Sequence, residues 1–309
     1  MCEADDRFYR SPNRCHDRRF FYKYVSAGVA NTVLKTGTLR WSSPLRFNDP
    51  FDVTQELRLN FDEAELKMAV ALELASLIEE GDPSFVAGHP GVELLLRTLN
   101  SLPDPSMRQR VVAGLRRDPG VTTAGQIEAF AELKQTWRDL VPMFRVLCLS
   151  ELKDVTSMWH HYADSYRGAV LEFEAVDQLD SVFLVARPVT YQDNPPAIAS
   201  KQAWARCLLG RGQTTYKDLF TEYQYVKTTA WAYEREWRIV TLERPGESGL
   251  FADYPFYPRE LTGVYLGVRC SEEDEAGILS LLTHGFEHVS AYRARSNGTG
   301  AKFTFHEIR

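Results

Sequence analysis

The segment from Trp231 to Arg238 carries the residues with the clearest capacity for chemistry. Glu234 and Glu236 lie two residues apart, so on a strand they share one face at a separation of about 7 Å. One carboxylate of such a pair can stabilise a developing cation while the other handles the proton of an acceptor. The alternative interpretation is a surface ion-pair ladder, in which Glu236 merely neighbours Arg238.

A second group of polar and aromatic side chains follows Ser150. Trp159 and Tyr162 lie three residues apart and therefore share a face if this segment is a short helix. They are either an aromatic wall for a planar ligand or the buried side of an amphipathic helix. The rings of His160 and His161 diverge on a helix, so no zinc site is predicted there.

Two earlier segments contribute further candidates. Lys23 lies inside the aromatic run Phe21–Tyr24, where a lysine is either an anchor for phosphate or a strand-edge charge. Asn48 opens a turn whose side chains bond their own backbone. A different set of residues could serve a metal-dependent nuclease, with carboxylate ligands beside a Glu-x-Lys sequence: Asp49, Asp52, Glu151 and Lys153. A further alternative is a non-enzymatic module that binds a ligand or a protein in the same aromatic cleft.

The elements that position these residues are short and irregularly ordered. Aromatic and β-branched runs predict strands at Phe20–Val25, Leu39–Ser42, Arg145–Glu151, Gly168–Glu174, Val182–Tyr191, Glu234–Thr241, Gly263–Val268, His288–Arg293 and Phe303–His306. Helices are predicted from Ser26 to Gly37, over Tyr216–Lys227 and over Glu272–Thr283. Strands and helices do not alternate regularly, and no glycine-rich phosphate motif is present. The order favours an α+β fold with mostly antiparallel strands.

Residues 61–140 differ from the rest of the chain. They hold 13 acidic and 8 basic residues, a net charge of −5, and only four of the aromatic residues. Apolar residues recur at helical spacing through the stretch. We therefore predict a helical insertion or subdomain at 61–140, inside an α+β domain formed by 1–60 and 141–309.

Composition excludes several classes of protein. The 309 residues carry 36 basic and 42 acidic side chains, so no global positive field draws the protein to nucleic acid. Five widely spaced cysteines with no Cys-x-x-Cys pair argue against a zinc ribbon or a disulfide framework. No signal peptide and no membrane-spanning run is predicted. We expect a cytoplasmic protein without membrane partners.

The motifs described above, in this order, resemble a bacterial family known as domain of unknown function 2971. The matching pieces are Tyr22–Tyr24, Gly37–Ser43, Phe47–Asp52, Cys148–Ser150, Met158–Asp164, Trp231–Arg238 and Tyr265–Cys270. The resemblance covers most of the chain outside the helical insertion.

The chain also resembles the ADP-ribosyltransferase-like superfamily, through its opening strand, capped helix and second strand. That resemblance implies two packed small sheets and NAD as substrate. It also implies a catalytic pair, Glu236 with Glu234, in which Glu236 bonds the ribose hydroxyl and Glu234 orients or deprotonates the acceptor. The cofactor-binding residues it implies are Lys23, Tyr24, Arg46, Asn48, Ser150, Trp159 and Tyr162. Lys23 stands where the superfamily carries His or Arg. The implied acceptor is a macromolecule, nucleic acid or protein, and the implied role is that of a toxin or phage-defence effector.

Overall fold

The computed structural model describes residues 9–53, 61–81, 90–101, 104–119, 124–193, 200–211, 220–221, 223–296 and 303–309. The chain divides into two compact units. The first unit comprises Met1–Asp52, Pro142–Tyr191 and Lys227–Arg309, and the second comprises Val53–Val141 and Gln192–Val226. The class is α+β, as predicted.

The first unit contains the large sheet. Its strands are β1 (Phe20–Val25), β2 (Thr38–Ser42), β3 (Phe144–Ser150), β4 (Ala169–Glu174), β5 (Arg187–Pro188), β8 (Glu236–Leu242), β9 (Phe251–Pro255), β10 (Leu261–Leu266), β11 (Ser290–Ser296) and β12 (Phe303–Glu307). A separate two-stranded ribbon pairs β6 (Thr190–Tyr191) with β7 (Val226–Lys227). All pairings in the large sheet are antiparallel except that of β10 with β11.

The helices of the described residues fall into two groups. In the first unit they are α1 (Ala27–Thr36), α6 (Thr156–His161) and α8 (Glu272–Leu282). In the second unit they are α2 (Glu63–Glu80), α3 (Pro90–Ser101), α4 (Pro105–Arg117), α5 (Ala124–Leu140) and α7 (Lys201–Leu208). No helix in the described part of the chain is long and apolar enough to cross a membrane.

Strand β3 pairs with three other strands of the large sheet. One of its edges pairs with β8 along its whole length, from Phe144 to Ser150. Its other edge is shared, because Ser150 lies opposite Tyr22 of β1 while Val146 lies opposite Ser42 of β2. Strand β1 pairs with β3 on one side and with β4 on the other, so all these strands belong to one sheet. The expected pair of small packed sheets is therefore not confirmed.

The core of the first unit follows from alternation along the central strands. Ala169, Leu171 and Phe173 of β4 point to one face and have no exposed surface. They pack with Phe21 of β1 and with Leu147 of β3 in one apolar cluster. Helices α1 and α8 pack on each other and contribute apolar side chains to the same cluster. The predicted strands that contain these residues, β1, β3 and β4, thus contribute to the buried core, as expected.

The second unit begins with a strongly specified helix. Asp62 caps α2 by accepting a hydrogen bond from the Glu65 amide, while the Glu65 side chain accepts one from the Asp62 amide. Gly81 ends the helix in the left-handed conformation, with φ 61°, as is common for a glycine at this position. Apolar residues at helical spacing bury one face of α2, which packs against α4 and α7.

Two predicted elements differ in the structure, and one strand was not predicted. The expected strand Val182–Tyr191 is instead a 3-10 turn, Val182–Val185, followed by β5 and β6. Pro188 lies in that region and has no N–H to contribute to a continuous ladder. Of the expected helix Tyr216–Lys227, residues 220, 221 and 223 are helical, 224–225 form a turn and the last two residues form β7, while 216–219 and 222 lie outside the described residues. Strand β9 was not predicted.

Two glycines are required where the backbone comes into close contact. A Cβ on Gly168 would lie 2.1 Å from the Val25 carbonyl oxygen, and a Cβ on Gly267 would lie 2.0 Å from the Tyr166 carbonyl oxygen. Side chains cannot occupy such positions without a shift of the backbone. These contacts fix the chain that follows α6 against β1 and β10.

We expect Gly168→Ala to lower the free energy of unfolding by about 1–3 kcal/mol, because the backbone of β1 must move. Gly28→Ala is the matched control, since a Cβ there has no neighbour within 4 Å. At that helical position alanine should be neutral or stabilising by up to about 1 kcal/mol. Urea unfolding measures both, and equal stability of the two variants would contradict the close contact.

Candidate active site

A cavity of about 260 Å³ opens in the first unit beside the shared edge of β3. Between the β1 and β2 pairings of that edge, the Cys148 carbonyl accepts a hydrogen bond from Lys23 Nζ at 2.7 Å. The two neighbouring strands thus diverge at this point, and their separation forms the cavity. Eight of the nine predicted site residues line it: Lys23, Tyr24, Arg46, Asn48, Ser150, Tyr162, Glu234 and Glu236.

Five charged side chains form what we call the carboxylate cluster: Asp52, Lys227, Glu234, Glu236 and Arg238. Each is at most 5% exposed. Lys227 Nζ lies 2.6 Å from Glu234 Oε2, 3.2 Å from Glu236 Oε2 and 3.5 Å from Asp52 Oδ2. The Arg238 guanidinium donates to Glu236 Oε1 at 2.8 Å and to Asp52 Oδ2 at 2.6 Å. Buried charges require such pairing, because the cost of removing a charge from water is not offset when no opposite charge is nearby.

The two glutamates reach the cavity from different elements. Glu234 ends the 3-10 turn Thr229–Glu234, Arg235 is left-handed with φ 47°, and Glu236 begins β8. The prediction that Glu234 and Glu236 share one face of a single strand is therefore wrong. The left-handed Arg235 turns the chain between them, and both carboxylates bind Lys227 while the Arg235 side chain pairs with Glu151 at the surface.

Backbone contacts hold both glutamates in place. Ser150 Oγ donates to the Glu234 carbonyl at 2.7 Å, and Ser150 lies opposite Glu236 in the pairing of β3 with β8. The Tyr191 hydroxyl oxygen accepts a hydrogen bond from the Glu236 amide at 2.7 Å. The carboxylates are thus positioned by groups outside the cluster, which is what a preorganised site needs.

The three acids of the carboxylate cluster differ in the direction in which their pKa values are shifted. Burial opposes ionisation of Glu236, but Arg238 and Lys227 outweigh it and lower its pKa to about 2. Burial raises the pKa of Glu234 against the attraction of Lys227, and it raises the pKa of Asp52 against the attraction of Arg238. Glu236 is therefore a fixed anion at neutral pH, while Glu234 is better suited to exchange a proton.

Tyr162 and Asn48 extend the cluster toward the mouth of the cavity. The Tyr162 hydroxyl donates to Glu234 Oε1 at 2.6 Å and accepts from Asn48 Nδ2 at 3.1 Å. Burial and the nearby Glu234 raise the pKa of Tyr162, so its hydroxyl stays protonated and remains a donor. Asn48 itself is exposed, as is Arg46, whose guanidinium lies near the ring of Phe251.

Three predicted cofactor-binding residues have structural partners. Trp159 has no exposed surface, donates its ring N–H to the Lys153 carbonyl at 2.8 Å and packs edge-on against Tyr24. It belongs to the core and does not line the cavity, so it cannot stack on a ligand there. The Tyr24 hydroxyl is bonded to the backbone of the segment before α6. Ser150 is fully buried and holds Glu234.

The residues of the nuclease alternative do not gather at the cavity. Glu151 pairs with Arg18 and Arg235, and Lys153 donates to the Tyr265 hydroxyl. Asp52 is in the carboxylate cluster, whereas Asp49 accepts from the Phe51 amide in its own turn. Within the described ranges, no group of three or more His, Cys, Asp or Glu residues is arranged to hold a metal ion.

Lys227 is the site residue that sequence reasoning missed. It is separated from the glutamates by a 3-10 turn, and its own neighbours Val226 and Thr228 carry no recognisable motif. Its Nζ also lies 4.8 Å from the centroid of the Trp231 ring. Arg238 was noted only as a possible surface partner of Glu236, but the pair is buried.

We expect Lys227→Met to lower the free energy of unfolding by about 3–5 kcal/mol, because it leaves three buried carboxylates with a single cation. The control is Lys201→Met, which removes a more exposed ion pair with Glu65 and should cost less than about 1 kcal/mol. Urea unfolding measures both variants. Equal losses would show that the cluster is not a cooperative buried network.

A pH dependence follows from the lowered pKa of Glu236. Its contribution to stability is complete above the unfolded pKa, about 4.3, and is lost as pH falls toward the folded pKa of about 2. The stability difference between the natural protein and Glu236→Gln should therefore shrink by ~3 kcal/mol between pH 6 and pH 2.

Urea unfolding across that range measures the effect. Glu234→Gln is the matched control, because the pKa of Glu234 is raised and its contribution falls as pH rises above about 4.3. A difference between the natural protein and Glu236→Gln that is constant with pH would contradict the assigned environment of Glu236.

Comparisons with known proteins agree with one of the two resemblances. Residues 158–239 match the model of a family described as protein of unknown function (DUF2971). This stretch includes Tyr162, Glu234, Glu236 and Arg238 of the site. No curated protein matches the chain, and no solved structure matches it. The family match supports a relationship of this chain to that family of unknown function.

Proposed function

We propose that the protein is an NAD-dependent ADP-ribosyltransferase-like enzyme that transfers ADP-ribose to a macromolecular acceptor. The observation that carries the proposal is a convergence across three adjacent strands. Tyr22 of β1, Ser150 of β3 and Glu236 of β8 lie at one level of the sheet. Lys23, Ser150, Tyr162 and Glu236, predicted from separate parts of the sequence, line one cavity.

Glu236 suits the role of the catalytic carboxylate. In the proposed step the bond between the ribose carbon and the nicotinamide nitrogen breaks, and its electron pair leaves with nicotinamide. Positive charge then develops on the ribose, as in glycoside hydrolysis. An ionised group that is already fixed in place stabilises this charge without reorganisation. The lowered pKa of Glu236 and its two bonds to Arg238 support this role.

Glu234 suits the proton transfer that completes the reaction. The acceptor nucleophile forms a bond to the ribose carbon, and its proton passes to Glu234. The raised pKa of Glu234 favours proton uptake, and the Tyr162 hydroxyl bonded to its Oε1 stabilises the ionised form that accepts the proton. Nicotinamide, ADP-ribosylated acceptor and one proton are the products.

The mouth of the cavity suits the rest of the dinucleotide. A volume of about 260 Å³ is below the ~300–1,000 Å³ of pockets that enclose drug-sized ligands. The nicotinamide and its ribose would therefore occupy the cavity, with the Tyr162 ring as the aromatic surface. The pyrophosphate would lie at the mouth beside the exposed Arg46, with Lys23 deeper in the cavity. A toxin or phage-defence effector would fit this activity.

The test is nicotinamide release from NAD by the purified protein, with cell lysate as acceptor source. We expect Glu236→Gln to reduce release at least ~100-fold, because it removes the charge that faces the transition state. The control, Glu174→Gln, removes an exposed ion pair with Arg19 and should leave release unchanged.

No release by the natural protein would count against the proposal. NAD binding without release, with an affinity that Glu236→Gln changes, would indicate a ligand-binding module. Nucleic-acid cleavage abolished by a chelator would indicate the metal-dependent alternative.

A further inference from the structure

Asp52 lines the cavity and carries a buried acceptor oxygen that has no partner among the described residues. The residue is 4% exposed and lines the cavity. Its Oδ2 accepts from Arg238 at 2.6 Å and lies 3.5 Å from Lys227 Nζ. Its Oδ1 has no hydrogen-bond partner in the described part of the chain. A buried carboxylate oxygen without a donor is costly, and such atoms in native proteins call for an explanation.

Two comparisons single out this oxygen. Asp49 Oδ2 is also buried without a partner in the ranges that the structure describes, but Asp49 does not line the cavity. Glu236 lines the cavity, but Arg238 already donates to both of its oxygens. A hydrogen-bond donor on a ligand in the cavity would therefore bond to Asp52 rather than to Asp49 or Glu236.

The position of Asp52 relative to Glu236 indicates which ligand group it meets. Arg238 Nη2 donates both to Asp52 Oδ2 and to Glu236 Oε2, so one nitrogen holds the two carboxylates side by side. In the proposed function Glu236 faces the ribose carbon that loses nicotinamide. The nearest donor on the substrate is the hydroxyl of the neighbouring ring carbon, the 2′-hydroxyl.

We propose that Asp52 is the specificity-determining residue of this site and accepts a hydrogen bond from the 2′-hydroxyl of the nicotinamide ribose through Oδ1. The inference rests on the proposed function and assigns to Asp52 the hydroxyl contact that sequence resemblance assigns to Glu236. Two cations face three carboxylates in the cluster. The remaining negative charge makes a hydrogen-bond donor the favoured occupant.

The test measures binding of two uncleavable probes by calorimetry. They are carbocyclic NAD, in which carbon replaces the ring oxygen of the nicotinamide ribose, and its 2′-deoxy counterpart. The natural protein should bind the hydroxylated probe at least ~10-fold more tightly, as expected for a hydrogen bond to a charged acceptor. In Asp52→Asn that preference should fall to ~2-fold, because a neutral amide replaces the charged acceptor and a neutral hydrogen bond contributes less.

Asp49→Asn is the matched control, since it makes the same change three residues away and outside the cavity lining. It should retain the ~10-fold preference. Equal affinity of the natural protein for the two probes overturns the assignment of Asp52 and leaves the proposed function standing. An unchanged preference in folded Asp52→Asn does the same. Failure of the natural protein to bind either probe overturns the proposed function and this inference together.

If Asp52→Asn does not fold, the comparison of the two probes in the natural protein decides alone. Both probes then meet an unaltered cluster, and only the ligand hydroxyl differs between them. A preference of at least ~10-fold supports a buried charged acceptor for that hydroxyl, and no preference overturns it.

Discussion

The burial of three carboxylates with two cations is the constraint on which the site depends. Each of these groups would be unstable alone in the protein interior, because removal of a single charge from water costs several kcal/mol. Together they satisfy one another, with Lys227 central to the three acids and Arg238 bridging two of them. The position of the Glu236 carboxylate is therefore set by the whole cluster as well as by the pairing of its own strand.

The sheet provides the space that the cluster needs. If β1 and β2 met along the edge of β3, backbone hydrogen bonds would fill the region that is now the cavity. Instead Lys23 satisfies the Cys148 carbonyl between them, so the strands diverge without leaving that buried carbonyl unpaired. The sequence suggested that Lys23 is an anchor for phosphate or a strand-edge charge. In the structure its ammonium group donates a hydrogen bond to a backbone carbonyl.

Patterns of neighbouring residues predicted the features that depend on interactions between neighbouring residues. The strand at Gly168–Glu174, the helix start at Ser26 and the glycine stop at Gly37 follow from adjacent residues, and the structure confirms them. The prediction that Glu234 and Glu236 share one face of a strand was wrong because the residue between them is left-handed. The spacing of the two glutamates in the sequence does not indicate that conformation. Lys227 was missed because its partners are tertiary. Trp159 was open to either interpretation from periodicity, and only its complete burial decides it.

The chain passes between its two units at four points, and three of them lie beside the carboxylates. Asp52 precedes the first departure, Tyr191 precedes the second, and Lys227 follows the last return. All three contact Glu236 or its guanidinium partner. The helical segments are thus joined to the first unit next to residues that contact the carboxylate cluster or its backbone. Over evolutionary time those segments can be lengthened, shortened or exchanged for others only if the residues at the splice points keep their chemistry, so variation between relatives should stop abruptly there.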